Sequence, residues 1–107
     1  MNHFPNISND DFAIIQFVTK NYLPNDARVY VFGSRARSAP CKKFSDLDLA
    51  IDAGRKLTSR EVGYFKDAFG ISDLPYRVDI LDLNDVQDYF KKIIEPDMVE
   101  FPKPPAS

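Results

Sequence analysis

Hydrophobic positions early in the chain recur at helical spacing. Phe12, Ile15 and Val18, flanked by Ile14, Phe17 and Tyr22, predict a helix over Asn9 to Tyr22. Ser8-Asn9-Asp10-Asp11 opens it as a capping box with Asp in place of Glu, and it stops before Pro24. The pattern then loses that period. Arg28 to Phe32 is β-branched and aromatic and ends at Gly33, which reads as a short buried strand, whereas Ser34 to Ser45 has the composition of a loop. In the next segment Leu47, Leu49 and Ile51 alternate with Asp48, Ala50 and Asp52, a period of two that puts leucines on one strand face and acids on the other. Thr58-Ser59-Arg60-Glu61 is a second capping box, with Val62, Phe65 and Phe69 behind it and Gly70 as the stop. Tyr76 to Leu81 reads as a third strand, and Asn84 as the cap of a last helix carrying Val86, Phe90, Ile93 and Ile94, ended by Pro96. The order helix, strand, loop, strand, helix, strand, helix predicts an α/β fold, a small mixed sheet with helices. Residues 1–95 are expected to form one domain and 96–107 a Pro-rich, extended or disordered C-terminal tail.

Composition narrows the chemistry more than the fold. The chain has 107 residues, room for one small domain, and 14 Lys and Arg against 16 Asp and Glu give a net charge of −2. That balance disfavours general nucleic-acid binding, which needs a positive field. His3 is the sole histidine, in a terminus expected to fray, so Ser-His-Asp, Cys-His and multi-histidine metal chemistry are excluded by counting. Cys41 is the sole cysteine and reads as an incidental loop thiol, consistent with a cytoplasmic setting. No segment approaches the ~18 apolar residues of a membrane span. Any chemistry must run on carboxylates, hydroxyls and basic side chains.

Asp46 and Asp48 stand two apart at the start of the second strand and project from one face. Like charges so close repel, so either one is protonated or a divalent cation lies between them, and oxygen-only ligands suit Mg²⁺ or Mn²⁺. An isolated Asp-x-Asp also fits a solvated turn ahead of a strand. Asp79, between Val78 and Ile80, has the parity to share the face of Asp46 and Asp48 and needs a partner in an apolar strand. Three carboxylates can hold two cations, one activating an attacking hydroxyl and one steadying a triphosphate, with Asp79 helping to remove the proton. Asp52, at the far end of its strand, is expected to be structural or solvated, and Asp82 and Asp85 to serve the start of the last helix.

Upstream, Gly33 lets a ligand approach the backbone, and Ser34 offers a hydroxyl and an N–H to a phosphate oxygen. The loop from Ser34 to Asp46 is long enough to reverse the chain, so antiparallel neighbours would bring Gly33 and Ser34 beside the carboxylates. Arg35, Arg37, Lys42 and Lys43 concentrate positive charge there, as a triphosphate pocket requires, and Arg35 and Arg37 are the expected phosphate contacts.

Gly33-Ser34, then Ser45-Asp46-Leu47-Asp48-Leu49-Ala50-Ile51, then Val78-Asp79-Ile80-Leu81, resembles the signature of the DNA polymerase beta nucleotidyltransferase superfamily, in its minimal nucleotidyltransferase (MNT) branch. The likeness spans roughly Asp11 to Ile94. It departs in a loop one residue longer than the family's usual spacing, and in Ser38 where glycine often follows the basic pair. The resemblance implies a polymerase beta-like fold with Asp46, Asp48 and Asp79 as catalytic metal ligands for Mg²⁺ and ATP as substrate. It further implies an antitoxin that transfers AMP to a tyrosine of a HEPN-domain ribonuclease toxin, its protein partner. The rival expectations are an antitoxin that only occludes the toxin and an adenylyltransferase acting on a small molecule. Tyr89, Phe90, Ile93, Ile94, Met98, Val99 and Phe101 are available to a partner interface, with core packing of the final helix the use expected for most of them.

Overall fold

The computed structural model describes residues 2–103. Helix α1 (Asn9–Tyr22) leads into β1 (Arg28–Phe32), a short 3₁₀ turn (Gly33–Ala36) and, after a loop, β2 (Leu47–Asp52). Helix α2 (Ser59–Gly70), β3 (Val78–Asp82), α3 (Asp88–Ile94), a second 3₁₀ turn (Glu95–Asp97) and β4 (Val99–Phe101) complete the chain. The sheet order is β3-β2-β1-β4, with β2 antiparallel to β1, parallel to β3, and β4 antiparallel to β1. It is therefore a small mixed sheet in an α/β fold.

Local signals act where the sequence places them at both long helices. Ser8 Oγ accepts from the Asp11 N–H at 3.1 Å, and Thr58 and Glu61 form a reciprocal capping box. Arg55 adds a bidentate pair to Glu61 at 2.8 Å; with the Thr58 N–H, it holds that carboxyl down to about 2. The main core lies between α1, α2 and one face of the sheet. Val29, Val31, Leu47, Leu49 and Ile51 meet Phe12, Ile15, Val18, Phe65 and Phe69 there.

Four expectations are corrected. Residues 96–101 do not run off as a tail: β4 pairs Val29 with Phe101 and Val31 with Val99, and Phe101 is buried against Phe4 and Phe12. A three-residue strand is too short to show alternation, and its prolines flank the pairing residues without interrupting them. Residues 104–107 of the expected tail lie outside the described residues. The N-terminal segment does not fray, because Phe4 and Ile7 are buried in the core. Asn84 does not cap α3, which begins at Asp88 behind Gln87; its amide instead donates to Asp52 Oδ1 at 3.0 Å. Of the apolar residues near the C-terminus, Ile94 and Phe101 are buried and Met98 is half-buried, but Tyr89, Phe90, Ile93 and Val99 are exposed. Among the described residues no helix is long and apolar enough to cross a membrane.

Candidate active site

The acid face of the sheet is apolar in the middle, at Ala50, and charged toward both ends of β2, at Asp48 and Asp52. Ala50 is sealed under Leu83 and Ile94, so α3 and the segment leading into it cover the middle of β2. Two residues earlier the cover ends and Asp48 emerges. Register brings the rest together: β1 pairs Phe32 with Asp48, and β3 pairs Asp79 with Asp48. Asp48 is thus flanked on one side by the end of β1, where Gly33 begins its turn, and on the other by Asp79.

Gly33 has φ +74°, the left-handed region that favours glycine. A Cβ there would also collide with Asp48 Oδ2, so the main chain passes directly against the carboxylate. Burial pushes the Asp48 carboxyl up, and the neighbouring charges of Asp79 and Asp46 add to it. The three acids therefore sense one another although they differ in exposure: Asp48 is half-buried, while Asp46 and Asp79 are exposed. The expectation that Asp79 needs a partner because of burial is corrected, since β3 is an edge strand and leaves it in solvent.

Among the described residues, no group of three or more His, Cys, Asp or Glu is arranged to hold a metal ion by itself. Mg²⁺ used with nucleotides is held by one or two carboxylates together with phosphate oxygens. The donor set is all oxygen, and a divalent cation would offset both the burial that raises Asp48 and the repulsion from Asp79 and Asp46 that adds to it. The residues present thus fit Mg²⁺ shared between Asp48, Asp79 or Asp46 and a triphosphate.

Ser34 lies in the 3₁₀ turn beside this face, and its carbonyl accepts from the Arg37 N–H at 3.3 Å. Arg37, Lys42 and Lys43 are exposed around it. Arg35 is not available to phosphate, which corrects its expected role. It is 5% exposed, and its guanidinium donates to the carbonyls of Ser45 (Nε, 2.9 Å), Asn6 (Nη1, 2.6 Å) and Lys43 (Nη2, 3.0 Å). Its plane lies 3.6 Å from the centre of the Tyr76 ring, whose hydroxyl donates to Asp11 Oδ2 at 3.1 Å. A cation in a basic loop looks like a ligand until its surroundings are known, and here three carbonyls satisfy it. Asn6 carries no periodic or motif signal that would have drawn attention to it, and Tyr76 read only as the start of a strand.

Asp52 and Asp82 have structural roles. Asp52 is held below the usual carboxylate range by the Asn84 amide and the Gly54 N–H. Asp82 accepts from the N–H groups of Leu57 (2.7 Å) and Asn84 (2.9 Å), tying the approach to α2 onto the end of β3. Asp85 forms an exposed pair with Lys56 at 3.3 Å rather than serving the start of α3. Two grooves lie away from the acids: one of about 790 Å³ between α2, β3 and residues 85–90, and an apolar one of about 440 Å³ between α1 and α2.

Comparison with known proteins bears on this arrangement. The family described as polymerase beta, nucleotidyltransferase matches residues 13–99, a span that includes Gly33, Ser34 and all three acids. The probable protein adenylyltransferase MntA of Haemophilus influenzae is 40% identical over 88 residues, covering 82% of this chain and 75% of that protein.

Proposed function

Because the chain belongs to the polymerase beta nucleotidyltransferase family, we propose that it is a Mg²⁺-dependent protein adenylyltransferase that moves AMP from ATP to a tyrosine hydroxyl of a partner protein, a HEPN-domain toxin. The observation that carries this reading is the convergence of Gly33, Asp48 and Asp79, an anionic cluster set against a main chain whose conformation and close approach favour glycine. The name of the H. influenzae relative, a probable protein adenylyltransferase, supports protein as the acceptor class.

The triphosphate lies along the Gly33–Ser34 turn, where backbone N–H groups and the Ser34 hydroxyl are offered to phosphate oxygens. Asp46 and Asp48, with Asp79 beside them, would hold Mg²⁺, which when bound would neutralise the phosphates and the departing pyrophosphate. The acceptor oxygen attacks the α-phosphorus, the bond to the oxygen bridging the α- and β-phosphorus breaks, and pyrophosphate leaves with that electron pair. The tyrosine proton passes to the exposed Asp79 carboxylate. Exposed Tyr89, Phe90, Ile93 and Val99 supply apolar surface for the partner on α3 and β4.

The test uses the chain co-purified with its partner and ATP labelled at either the α- or the γ-phosphate. Label from the α-phosphate is expected on a partner tyrosine, none from the γ-phosphate, and none with EDTA present. A toxin neutralised in cells without any change in mass would show that occlusion suffices and would overturn the enzymatic reading. Transfer to a small molecule in the absence of the partner would overturn protein as the acceptor.

Arg37 is now the principal arginine for the triphosphate, since Arg35 is engaged elsewhere. Arg37→Ala is expected to raise KM for ATP about tenfold, roughly 1.4 kcal/mol, as befits an exposed charged contact. An unchanged KM would make Arg37 a solvated loop residue.

A further inference from the structure

Asn6 lies ahead of α1 and outside the residues matched to the family, yet its side chain bonds directly to the phosphate-side turn. Its side-chain amide reaches three carbonyl oxygens of that turn: Ser34 at 3.2 Å, Arg37 at 2.8 Å and Ala39 at 2.7 Å. Its own carbonyl accepts from Arg35 Nη1 at 2.6 Å, so the two residues brace each other. The segment bearing Asn6 is itself pinned. Phe4 and Ile7 are buried on either side, and the Asn2 side chain bonds both the Ile7 carbonyl (2.7 Å) and the Phe4 N–H (2.9 Å).

An amide has two N–H donors, and here three carbonyls crowd around them, which curls residues 34–39 about a single point. In a planar trans peptide the C=O of one residue points opposite to the N–H of the next. Drawing the carbonyls of Ser34 and Arg37 toward Asn6 therefore turns the N–H groups of Arg35 and Ser38 away from it. Arg35 carries the restraint across the loop to Lys43 and Ser45, the residue before Asp46.

We infer that Asn6 is a positioning residue for adenylyl transfer, holding the turn that receives the triphosphate in its anion-binding form and, through Arg35, holding that turn in register with Asp46. This rests on the proposed nucleotide chemistry and deepens it, by giving the N-terminal segment a role in nucleotide affinity. A purely structural Asn6 would affect melting alone; a positioning Asn6 affects nucleotide affinity at temperatures where every variant is folded.

The experiment measures MgATP binding to the full chain by calorimetry, well below the melting transition, for wild type, Asn6→Ala and Asn6→Asp. Backbone amide exchange is followed on the same samples. Asn6→Ala is expected to weaken MgATP binding about tenfold and to speed exchange across residues 34–39 while β1 and β2 stay protected. Asn6→Asp keeps the volume but sets a carboxylate against three carbonyls, so it is expected to bind at least as weakly as Asn6→Ala. An Asp variant milder than the Ala variant would show that volume, not donation, matters, and would overturn the inference. So would affinities within twofold of wild type in both variants. Wild-type protein that binds no MgATP would overturn the nucleotide reading itself, a result distinct from wild-type binding that the variants retain.

Discussion

Asp48→Asn is expected to lower AMP transfer by about 10³-fold or more, about 4 kcal/mol of lost transition-state stabilisation, while leaving the protein folded and no less stable at neutral pH. Both halves follow from one geometry. Asp48 stands between the end of β1 and Asp79, so its charge is central to any cation the acids share. That same charge is unfavourable in the protein alone, because burial, then Asp79 and Asp46, push its carboxyl up. The sign of the pH effect follows. A carboxyl raised in the folded state binds its proton more tightly there than in the unfolded chain, so its contribution to stability is complete below the unfolded value and is lost as pH rises through the folded one. Removing the charge should therefore raise the melting temperature relative to wild type increasingly as pH rises from the ordinary carboxylate range through the raised folded value. Thermal melts of both proteins over that range, paired with a labelled-ATP transfer assay, check the two halves separately. Transfer near the wild-type rate would remove Asp48 from the chemistry; a mutant that melts progressively lower than wild type as pH rises would contradict the repulsion.

Gly33→Ala is expected to abolish most activity, by about 10²-fold, from the addition of one methyl group. Two costs coincide. The left-handed backbone at φ +74° is worth roughly 1–2 kcal/mol against any residue with a Cβ, and the new Cβ collides with Asp48 Oδ2. The carboxylate has to rotate away or the turn has to move, and either displaces an acid from the metal or the phosphate-binding turn from the acids. Effects of such misplacement on rate are large even at about 1 Å. Gly54→Ala is the control, because Gly54 has the same backbone conformation at φ +75° with open space around it. Both should lose stability in thermal melts, Gly33→Ala the more because of its added collision, and only Gly33→Ala should lose transfer. Equal activity in both variants would show that the close approach of Gly33 to Asp48 has no catalytic importance.

Local rules carried much of the architecture. The caps at Ser8 and Thr58 act as read, because a cap is settled by residues three apart. Alternation from Leu47 to Asp52 placed leucines in the core and acids on the opposite face, because parity along one strand needs no knowledge of its neighbours. The same parity put Asp79 on the side of Asp48, and glycine at the end of β1 marked the place where the main chain meets that side chain. The α/β class and the order of the six helices and strands through α3 followed from local patterns in the chain.

What the tertiary structure decided is non-local. Only strand register shows that Asp48 faces Asp79 across a parallel pair and that β3 is the edge, leaving Asp79 in solvent. Arg35 reads as a phosphate ligand in the chain, and it becomes a buried brace because carbonyls from residues as distant as Asn6 close around it. Likewise β4 and the N-terminal segment owe their order to Phe101 packing against Phe4 and Phe12, contacts between the two ends of the chain that no local pattern encodes. Side-chain chemistry and parity belong to a residue and its immediate neighbours in sequence; the use to which a charge is put belongs to whatever backbone the fold brings within hydrogen-bond reach of it.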